Sequence, residues 1–426
     1  MTASWHHDTI WWHVFPLGFT GAEKTRAQAG DDLHHRLSHL TEWLDHALSL
    51  GVNGLLLGPI FEASTHGYDT IDHYRIDPRL GDLDDFTALV GHCVNRGIRV
   101  MLDGVFNHVS REHPIVVEAL AEGPDSEAGR WIRWVDGYPR CFEGNEPLVE
   151  LDLTYEPVQQ YVSDVMMFWL DRGADGWRLD AAYSPGASVW EPILAPVRER
   201  RPDTLVLGEV IHGDYAAFVA ESTVDTVTQY ELWKAIWSSL NDRNLWELAH
   251  ALERHDAMLS SFVPVIFLGN HDTTRIATKL ADDRHIGHAI ALLALLPGMP
   301  SIYSGDEEGF TGEKTDGEFG DDAVRPPFPG TPNDLLPFGA GVRELYQRLF
   351  ALRRRHPWLV DAHVSTRELS NEFVEIDLTG RDGEGRIVLA LNLSDQARQM
   401  PAGEELTDSD PAPGHVAAHG WAVVRA

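Results

Sequence analysis

The sequence predicts an α/β protein, a (β/α)8 TIM barrel followed by a smaller C-terminal antiparallel β-sandwich domain. Short apolar runs alternate with longer amphipathic stretches as far as residue 356, the pattern of parallel strands joined by helices. Eight such runs can be counted, which is the number that closes this barrel. After residue 357 the runs become short and are separated by Gly, Asp and Pro. We therefore expect a barrel domain over 1–356 and an all-β domain over 357–426.

Each apolar run supplies one predicted strand. The predicted strands cover 11–17, 52–58, 98–102, 176–179, 204–208, 224–230, 262–269 and 299–305. Of the helical stretches between them, 35–51 ends at Gly51 and 157–173 ends at Gly173, because glycine readily takes the left-handed conformation that terminates a helix. The barrel region exceeds the usual ~250 residues. We place one insertion at about 109–150, a small excursion domain between the third strand and its helix.

The C-terminal region contains four strand-like runs. They read HVSTREL (363–369), NEFVEIDL (371–378), GRIVLALNLS (385–394) and WAVVRA (421–426). Turn-forming residues separate these runs, and no helical stretch lies between them. Antiparallel pairing is therefore expected.

Charge and composition narrow the range of partners. Asp and Glu number 66 against 34 Lys and Arg, and the formal net charge of −32 would repel nucleic acid and anionic membranes and favours neutral or cationic substrates. Residues 1–13 lack the basic and apolar segments of a signal peptide, and no run of about 18 apolar residues is present. We expect a soluble, cytoplasmic protein without a membrane or nucleic-acid partner. Cys93 and Cys141 are expected to be free thiols.

Four acidic residues stand at the ends of predicted strands: Asp103, Asp180, Glu209 and Asp272. In a (β/α)8 barrel the carboxyl ends of all strands converge on one face, where active sites are built. A strand-end acid commonly caps the following helix, which explains any one of these residues but not the whole set. The sequence therefore predicts a cluster of carboxylates on one face of the barrel.

The stretch GWRLDAAYSP at 176–185 places Arg178 and Asp180 two residues apart, so they share one face of the strand. A buried ion pair is costly, which indicates a functional reason for it. Clustered carboxylates suit glycoside hydrolysis, in which one attacks the anomeric carbon and another delivers a proton. Phosphoryl transfer also uses carboxylates, through metal ions, but the chain has no phosphate-binding glycine loop of the P-loop type.

Six segments resemble the α-amylase superfamily, glycoside hydrolase family 13, in the order that the family has them. They are HGYDTIDHYRIDPRLG (66–81), DGVFNH (103–108), GWRLDAA (176–182), LGEV (207–210), GNHD (269–272) and PGMPSIYSGDEEG (297–309). Coincidence is a poor explanation for six segments in register. The resemblance implies the barrel fold and a glycosidase activity.

The resemblance also implies residue roles. Asp180 matches the nucleophile, Glu209 the general acid/base, and Asp272 the third carboxylate that stabilises the transition state. Other positions match residues that bind the sugar: Arg178, Asp103, His108 and His271 around the reacting ring, Tyr68 as the aromatic platform, and His66 and Arg275 as flanking contacts.

The subtype depends on the leaving-group side. Many α-amylases carry a Lys-His pair after the nucleophile, whereas this chain has Tyr183 and Ser184 there. GEVIHG, with His212, is closer to cyclomaltodextrinases and neopullulanases. Their additional N-terminal β domain is not expected here, because the chain starts close to the first barrel strand. Tyr183 and His212 are therefore expected to contact substrate.

The predicted function is a retaining glycoside hydrolase that cleaves α-glucosidic, mainly α-1,4, linkages in short linear or cyclic maltooligosaccharides. Three alternatives stay open: an α-glucan transglycosylase, an α-glucosidase of the same family, and a non-catalytic carbohydrate-binding barrel. Intact Asp180, Glu209 and Asp272 argue against the last. The product and the oligomeric state are not determined by the sequence.

The mechanism requires one ionised and one protonated carboxyl group. We expect Arg178 to keep Asp180 ionised, and burial with neighbouring negative charge to raise the pKa of Glu209. The reaction needs no cofactor. The family commonly holds a structural calcium, and Asn107 matches one ligand position, although the sequence shows no convincing partner ligands.

Overall fold

A computed structural model describes residues 5–30, 32–317, 320–410 and 414–426. Eight parallel strands form the barrel, one from each predicted run, so all eight strand predictions are confirmed. The strands are β1 (Trp11–Val14), β2 (Gly54–Leu57), β3 (Arg99–Gly104), β4 (Gly176–Leu179), β5 (Leu205–Gly208), β6 (Thr226–Val227), β7 (Val265–Phe267) and β8 (Met299–Tyr303).

The strands follow the order β6-β5-β4-β3-β2-β1-β8-β7, with parallel pairing between neighbours. A parallel bridge between Thr228 and Val265 joins β6 to β7 and closes the ring. The predicted (β/α)8 barrel is therefore confirmed. Its carboxyl-terminal face is the face on which the strand-end acids lie.

Several strands are shorter than predicted, for local reasons. β1 ends at Val14 because Pro16 begins a short helix, Pro16–Phe19. β6 keeps only two residues, because the helix Tyr230–Asp242 starts where the predicted strand ended. Predictions of strand ends from apolar runs overshoot wherever the next element is also apolar.

Helices surround the barrel. The longer ones are Leu83–Asn95, Glu156–Leu170, Trp190–Arg200, Tyr215–Ser222, Tyr230–Asp242, Leu245–Met258, Ile286–Leu295 and Ala340–Arg355. The stretch predicted over 35–51 is divided into Leu37–Thr41 and Leu44–Ser49. Both predicted glycine terminators have a positive φ, +85° at Gly51 and +103° at Gly173, which a residue with a Cβ rarely adopts.

Two apolar clusters result from the alternation of side chains along the strands. The smaller fills the barrel interior and contains Trp11, Leu56, Met101, Leu205, Leu207, Val263, Val265 and Met299. The larger lies between the strands and the surrounding helices. The interior is therefore packed solid beneath the catalytic face, as expected for this fold.

The excursion after β3 carries its own small elements. The strand His108–Ser110 pairs antiparallel with Leu148–Glu150. Between them lie the helix Pro114–Glu122 and the hairpin Trp134–Val135 with Tyr138–Pro139. This hydrogen-bonded ladder fixes both ends of the excursion beside the carboxyl-terminal face.

The C-terminal region forms an antiparallel sheet, as predicted. Its strands are β9 (His363–Arg367), β10 (Phe373–Thr379), β11 (Arg386–Asn392), β12 (Glu404–Asp408) and β13 (Trp421–Arg425), in the order β9-β10-β11-β13-β12. Helix Ile286–Leu295 of the barrel packs on β11 and β13. The second layer of the sandwich is a short ladder, Arg398–Gln399 with His415–Val416, which covers a small apolar cluster around Phe373.

Both cysteines are free thiols, which confirms that prediction. Within the described part of the chain, no helix combines the length and the apolar character that a membrane span requires.

Candidate active site

Strand register brings the predicted catalytic residues together. β4 and β5 pair with Leu179 opposite Gly208, so the next residues along each strand, Asp180 and Glu209, are neighbours. β4 also pairs with β3, and Arg178 lies opposite Asp103. All these side chains are buried. The functional pair that the sequence suggested, Arg178 and Asp180, therefore belongs to a larger cluster with side chains from three adjacent strands.

Arg178 is the cation at the centre of this cluster. Its Nη1 lies 2.7 Å from both carboxylate oxygens of Asp103 and donates to Asp180 Oδ1 at 3.1 Å. Its Nη2 lies 2.6 Å from Glu209 Oε1. One guanidinium therefore serves three carboxylates, and Asp180 is not its closest partner.

This sharing corrects the expectation for Asp180. Burial raises the pKa of Asp180 well above its ordinary value, Arg178 opposes that rise, and the charges on Glu209 and Asp103 add to it. The expectation that Arg178 simply holds Asp180 ionised is therefore wrong for this arrangement. Burial raises the pKa of Asp103 as well, and Arg178 again opposes that rise.

Glu209 is held by two further donors. Its Oε2 accepts a hydrogen bond from the backbone N–H of Ala181 at 3.0 Å, and its Oε1 accepts one from the Tyr230 hydroxyl at 3.1 Å. Asn270 Nδ2 donates to the same hydroxyl at 2.7 Å. Ala181 has a φ of +44°, an unfavourable conformation for a residue with a Cβ, and it directs this N–H at Glu209.

Asp272, the third predicted carboxylate, is held in an ionised state. His271 Nε2 lies 2.9 Å from Asp272 Oδ2, and Arg325 Nη2 donates to Oδ1 at 2.8 Å. Burial would raise the pKa of Asp272, but His271 and Arg325 together hold it well below the ordinary value. Asp272 therefore differs from Asp180, whose pKa is raised.

An aromatic surface adjoins the cluster. The Tyr68 ring stacks on the His271 ring with centroids 5.3 Å apart, and its hydroxyl donates to Asp103 Oδ2 at 3.1 Å and also bonds His271. Phe15 lies parallel to the Tyr68 ring at 6.5 Å. These contacts suit the platform role that was predicted for Tyr68, because sugar rings pack on aromatic faces.

The excursion forms one rim of the site. The His108 ring stacks on Phe142 at 4.5 Å, and the Tyr183 hydroxyl donates to Glu143 Oε1 at 3.0 Å. His212 lies next to Tyr183, with ring centroids 6.4 Å apart. The structure thus places the predicted leaving-group residues together and adds two excursion residues that the sequence did not indicate.

His66 and Arg275, the two predicted flanking contacts, lie outside the carboxylate cluster. His66 Nδ1 accepts a hydrogen bond from the Tyr68 backbone at 3.2 Å, which keeps it on the platform side. Arg275 is buried, and its guanidinium bonds Asp306 at 2.8 Å and the Val324 carbonyl at 2.9 Å. The Arg275 guanidinium is therefore occupied by Asp306 and the loop backbone. The arginine that bonds Asp272 is Arg325.

Besides Phe142 and Glu143, four residues of the site were not identified from the sequence: Arg325, Tyr230, Asn270 and His13. His13 Nε2 lies 3.2 Å from His271 Nδ1 and so supports that ring from behind. Asn270 lies inside the GNHD segment, and that position was the available signal. Arg325 follows β8 in a long irregular loop, where no periodic pattern indicates which side chain turns inward.

Comparison with known proteins decides the family. The sequence matches the description "Alpha amylase, catalytic domain" over residues 13–149 and 141–328. The chain belongs to the alpha-amylase family. These matched residues include the end of β1, the seven other strands of the barrel and all three predicted catalytic carboxylates.

Alpha-amylase family relatives resemble the chain over most of its length. A cyclomaltodextrinase of Geobacillus thermopakistaniensis is 30% identical over 433 residues, covering 93% of this chain and 71% of that protein. An intracellular maltogenic amylase of Bacillus subtilis is 29% identical, over 72% of this chain and 57% of its own length. The solved structure of a cyclic alpha-maltosyl-(1→6)-maltose hydrolase from Arthrobacter globiformis superposes with a TM-score of 0.82 at 26% identity, covering 99% of both chains.

The donors around Asn107 do not fit the calcium site that the family resemblance raised. Asn107 directs its amide nitrogen at His108 Nδ1, 3.2 Å away. Glu150, on the strand paired with His108, lies 3.1 Å from Arg140 and 3.5 Å from Arg133. Calcium needs six to eight oxygen ligands, and here two guanidinium groups already occupy the nearby carboxylate. No step proposed below uses a metal.

Proposed function

We propose that this protein is a retaining glycoside hydrolase that cleaves α-glucosidic, mainly α-1,4, linkages in short linear or cyclic maltooligosaccharides. The observation that carries the proposal is the cluster in which Asp180 and Glu209 share Arg178, with Asp272 held ionised beside them. Two neighbouring carboxyl groups and a third negative charge are what the double displacement through an oxocarbenium-like transition state requires.

In the first step Asp180 attacks the anomeric carbon while Glu209 gives its proton to the glycosidic oxygen, and the leaving sugar departs. In the second step a water gives its proton to Glu209 and displaces Asp180, which restores both groups. This sequence requires a proton on Glu209 and a negative charge on Asp180 when the sugar binds. Arg178 contacts both carboxyl groups, so its positive charge lies beside the nucleophile and the acid/base.

The surrounding residues support a sugar substrate. Tyr68 supplies an aromatic face, and Asp103 and Arg178 supply paired polar groups at the base of the site. Buried polar groups that match sugar hydroxyls give specificity, because any analogue that lacks a hydroxyl leaves them unpaired.

The preference for short or cyclic substrates rests on the rim. Phe142 and Glu143 of the excursion approach His108 and Tyr183, so the leaving-group side is bounded by this small domain. Relatives named cyclomaltodextrinase and a cyclic maltosyl-maltose hydrolase fit such a site. A cytoplasmic location, as in a relative named intracellular, is part of the same proposal.

The test is a product profile with a matched inactive control. The purified protein is expected to release reducing sugar from maltooligosaccharides and cyclodextrins, and the Asp180→Ala variant is not. Proton NMR at early times should show the α-anomer first. Initial β-anomer would contradict the retaining mechanism, and sugar binding without turnover would favour the carbohydrate-binding alternative. Transfer products that exceed hydrolysis products would favour a transglycosylase, and release of single glucose units from chain ends would favour an α-glucosidase.

A further inference from the structure

A group of metal-ligating side chains lies where the C-terminal sheet meets the barrel. Asp282 and His285 precede the barrel helix Ile286–Leu295, and His419 lies in the turn before β13. One ligand atom of each lies within 4.8 Å of those of the other two. The proposed glycosidase reaction uses none of these residues.

The two imidazole rings already have a spacing that suits a metal ion. His285 Nε2 lies 3.1 Å from His419 Nδ1. Two nitrogens that each bind a tetrahedral zinc at ~2.0–2.1 Å are about 3.3 Å apart, so a cation between them needs only a small separation of the rings. His285 is buried and the His419 side chain is only 6% exposed, whereas the Asp282 side chain is 29% exposed, so a cation reaches the site from solvent past Asp282.

A carboxylate orients one of the rings. His419 Nε2 lies 2.7 Å from Asp395 Oδ1, so Nε2–H donates to the carboxylate and the lone pair of Nδ1 faces His285. Metal-binding histidines commonly make this contact, because it fixes the tautomer and the ring orientation. His419 also has a φ of +52°, an unfavourable backbone conformation that its surroundings maintain.

Arg284 forms an ion pair with Asp282 and would compete with a metal ion for this carboxylate. Arg284 Nε donates to Asp282 Oδ1 at 2.9 Å and Nη2 donates to Oδ2 at 2.6 Å. The Arg284 side chain is 57% exposed, so it can turn into solvent when another cation takes the carboxylate. Removing this arginine should therefore strengthen metal binding.

We propose that Asp282, His285 and His419 bind a divalent transition-metal cation of the zinc type, with a water molecule as fourth ligand. Two imidazoles and one carboxylate suit Zn²⁺ rather than Ca²⁺, which prefers oxygen ligands. On binding, His285 moves its proton from Nε2 to Nδ1, so both facing nitrogens bind the ion without net loss of a proton. The ion joins the barrel to the C-terminal sheet.

The experiment uses the full chain without a polyhistidine tag, stripped with a chelator and titrated with Zn²⁺ by calorimetry. We expect saturable binding of one ion per chain, a higher Tm with Zn²⁺, and the strong visible absorption of a tetrahedral site with Co²⁺. His285→Gln and His419→Gln should each raise Kd at least about tenfold, and Asp395→Asn about 10- to 100-fold. Arg284→Gln should lower Kd.

The matched control is His35→Gln, at a second group of possible ligands, His35, Asp82 and Asp85, beside the start of the helix Leu83–Asn95. It should leave the high-affinity binding unchanged. Absence of saturable binding, or equal Kd values in the wild type and both histidine variants, would overturn the proposal. If a histidine variant fails to fold by circular dichroism, Arg284→Gln still decides: an unchanged or higher Kd there contradicts the site.

Discussion

Removing Arg325 tests a contact that the structure shows and the sequence did not predict, the hydrogen bond from Arg325 to Asp272. In Arg325→Met, Asp272 loses the hydrogen bond from Nη2 at 2.8 Å, and the His271 carbonyl loses the bond from Nε at 2.9 Å. Arg325 also lies 2.8 Å from Asp321 Oδ2, so the variant leaves two carboxylates facing the space of the lost cation. We expect lower activity and a changed pH profile.

The magnitude follows from these bonds. A hydrogen bond to a charged group contributes about 1.5–3 kcal/mol. The Asp272 side chain is 34% exposed, so solvent screens part of the interaction and the lower figure applies. A loss of about 1.5 kcal/mol in transition-state stabilisation corresponds to a roughly tenfold fall in kcat/KM.

The sign of the pH effect follows from Asp272. Arg325 is one of the groups that hold its pKa well below the ordinary value, so removing Arg325 raises that pKa. Asp272 must be ionised to stabilise positive charge, so the acid limb of kcat/KM moves to higher pH. The assay is kcat and KM on maltotetraose across the acid range.

Two further variants test the cause. Arg325→Lys should recover part of the acid limb, because it restores charge without the planar fork. Arg96→Met should change nothing, because Arg96 pairs with Asp45 between two outer helices. An acid limb that stays in place in Arg325→Met, with kcat/KM within about twofold of wild type, would refute the reasoning.

The other predictions concern chemistry, range and stability. Asp180→Ala and Glu209→Gln should each lower kcat by at least ~10³-fold with unchanged circular dichroism, and the double variant should be little worse, because the groups act as a unit. Tyr230→Phe removes one hydrogen bond to Glu209 and should cost about tenfold in kcat. Short linear or cyclic maltooligosaccharides should exceed soluble starch in kcat/KM per scissile linkage, since few remote subsites are expected; a clear starch preference with random internal cutting would contradict this. Arg353→Met leaves three buried carbonyl groups without their donor and should lower the free energy of unfolding by about 3 kcal/mol or more, measured with urea.

The fold was predictable because its signals are local. Each barrel strand is a short apolar run, and the ends of those runs place Asp103, Asp180 and Glu209 on one face without any knowledge of packing. Pairing of Leu179 with Gly208 then makes Asp180 and Glu209 neighbours. Strand lengths were less predictable, because an apolar residue at a helix start looks like the continuation of a strand.

The remainder of the site depends on irregular segments, for which sequence patterns carry little information. Arg325 lies in the loop after β8, and Phe142 lies in the excursion. Arg275 was expected to contact substrate, but the structure gives it buried Asp306 as its partner, a pairing between residues 31 apart in the chain. Loop packing decides that Arg325 rather than Arg275 contacts the catalytic carboxylates, and no periodic pattern in the sequence indicates this choice.

The electrostatics of the carboxylate cluster could not be predicted from the sequence for a different reason. Arg178 and Asp180 are two residues apart, and that spacing led to the expectation of a private ion pair; the structure shows Asp103 and Glu209 at shorter distances to the same guanidinium. One cation therefore faces three carboxyl groups in a buried site. The oxocarbenium-like transition state develops positive charge there, and these acidic groups stabilise that charge more than they stabilise the neutral sugar before the bond breaks. Stabilisation that appears only in the transition state raises kcat rather than lowering KM.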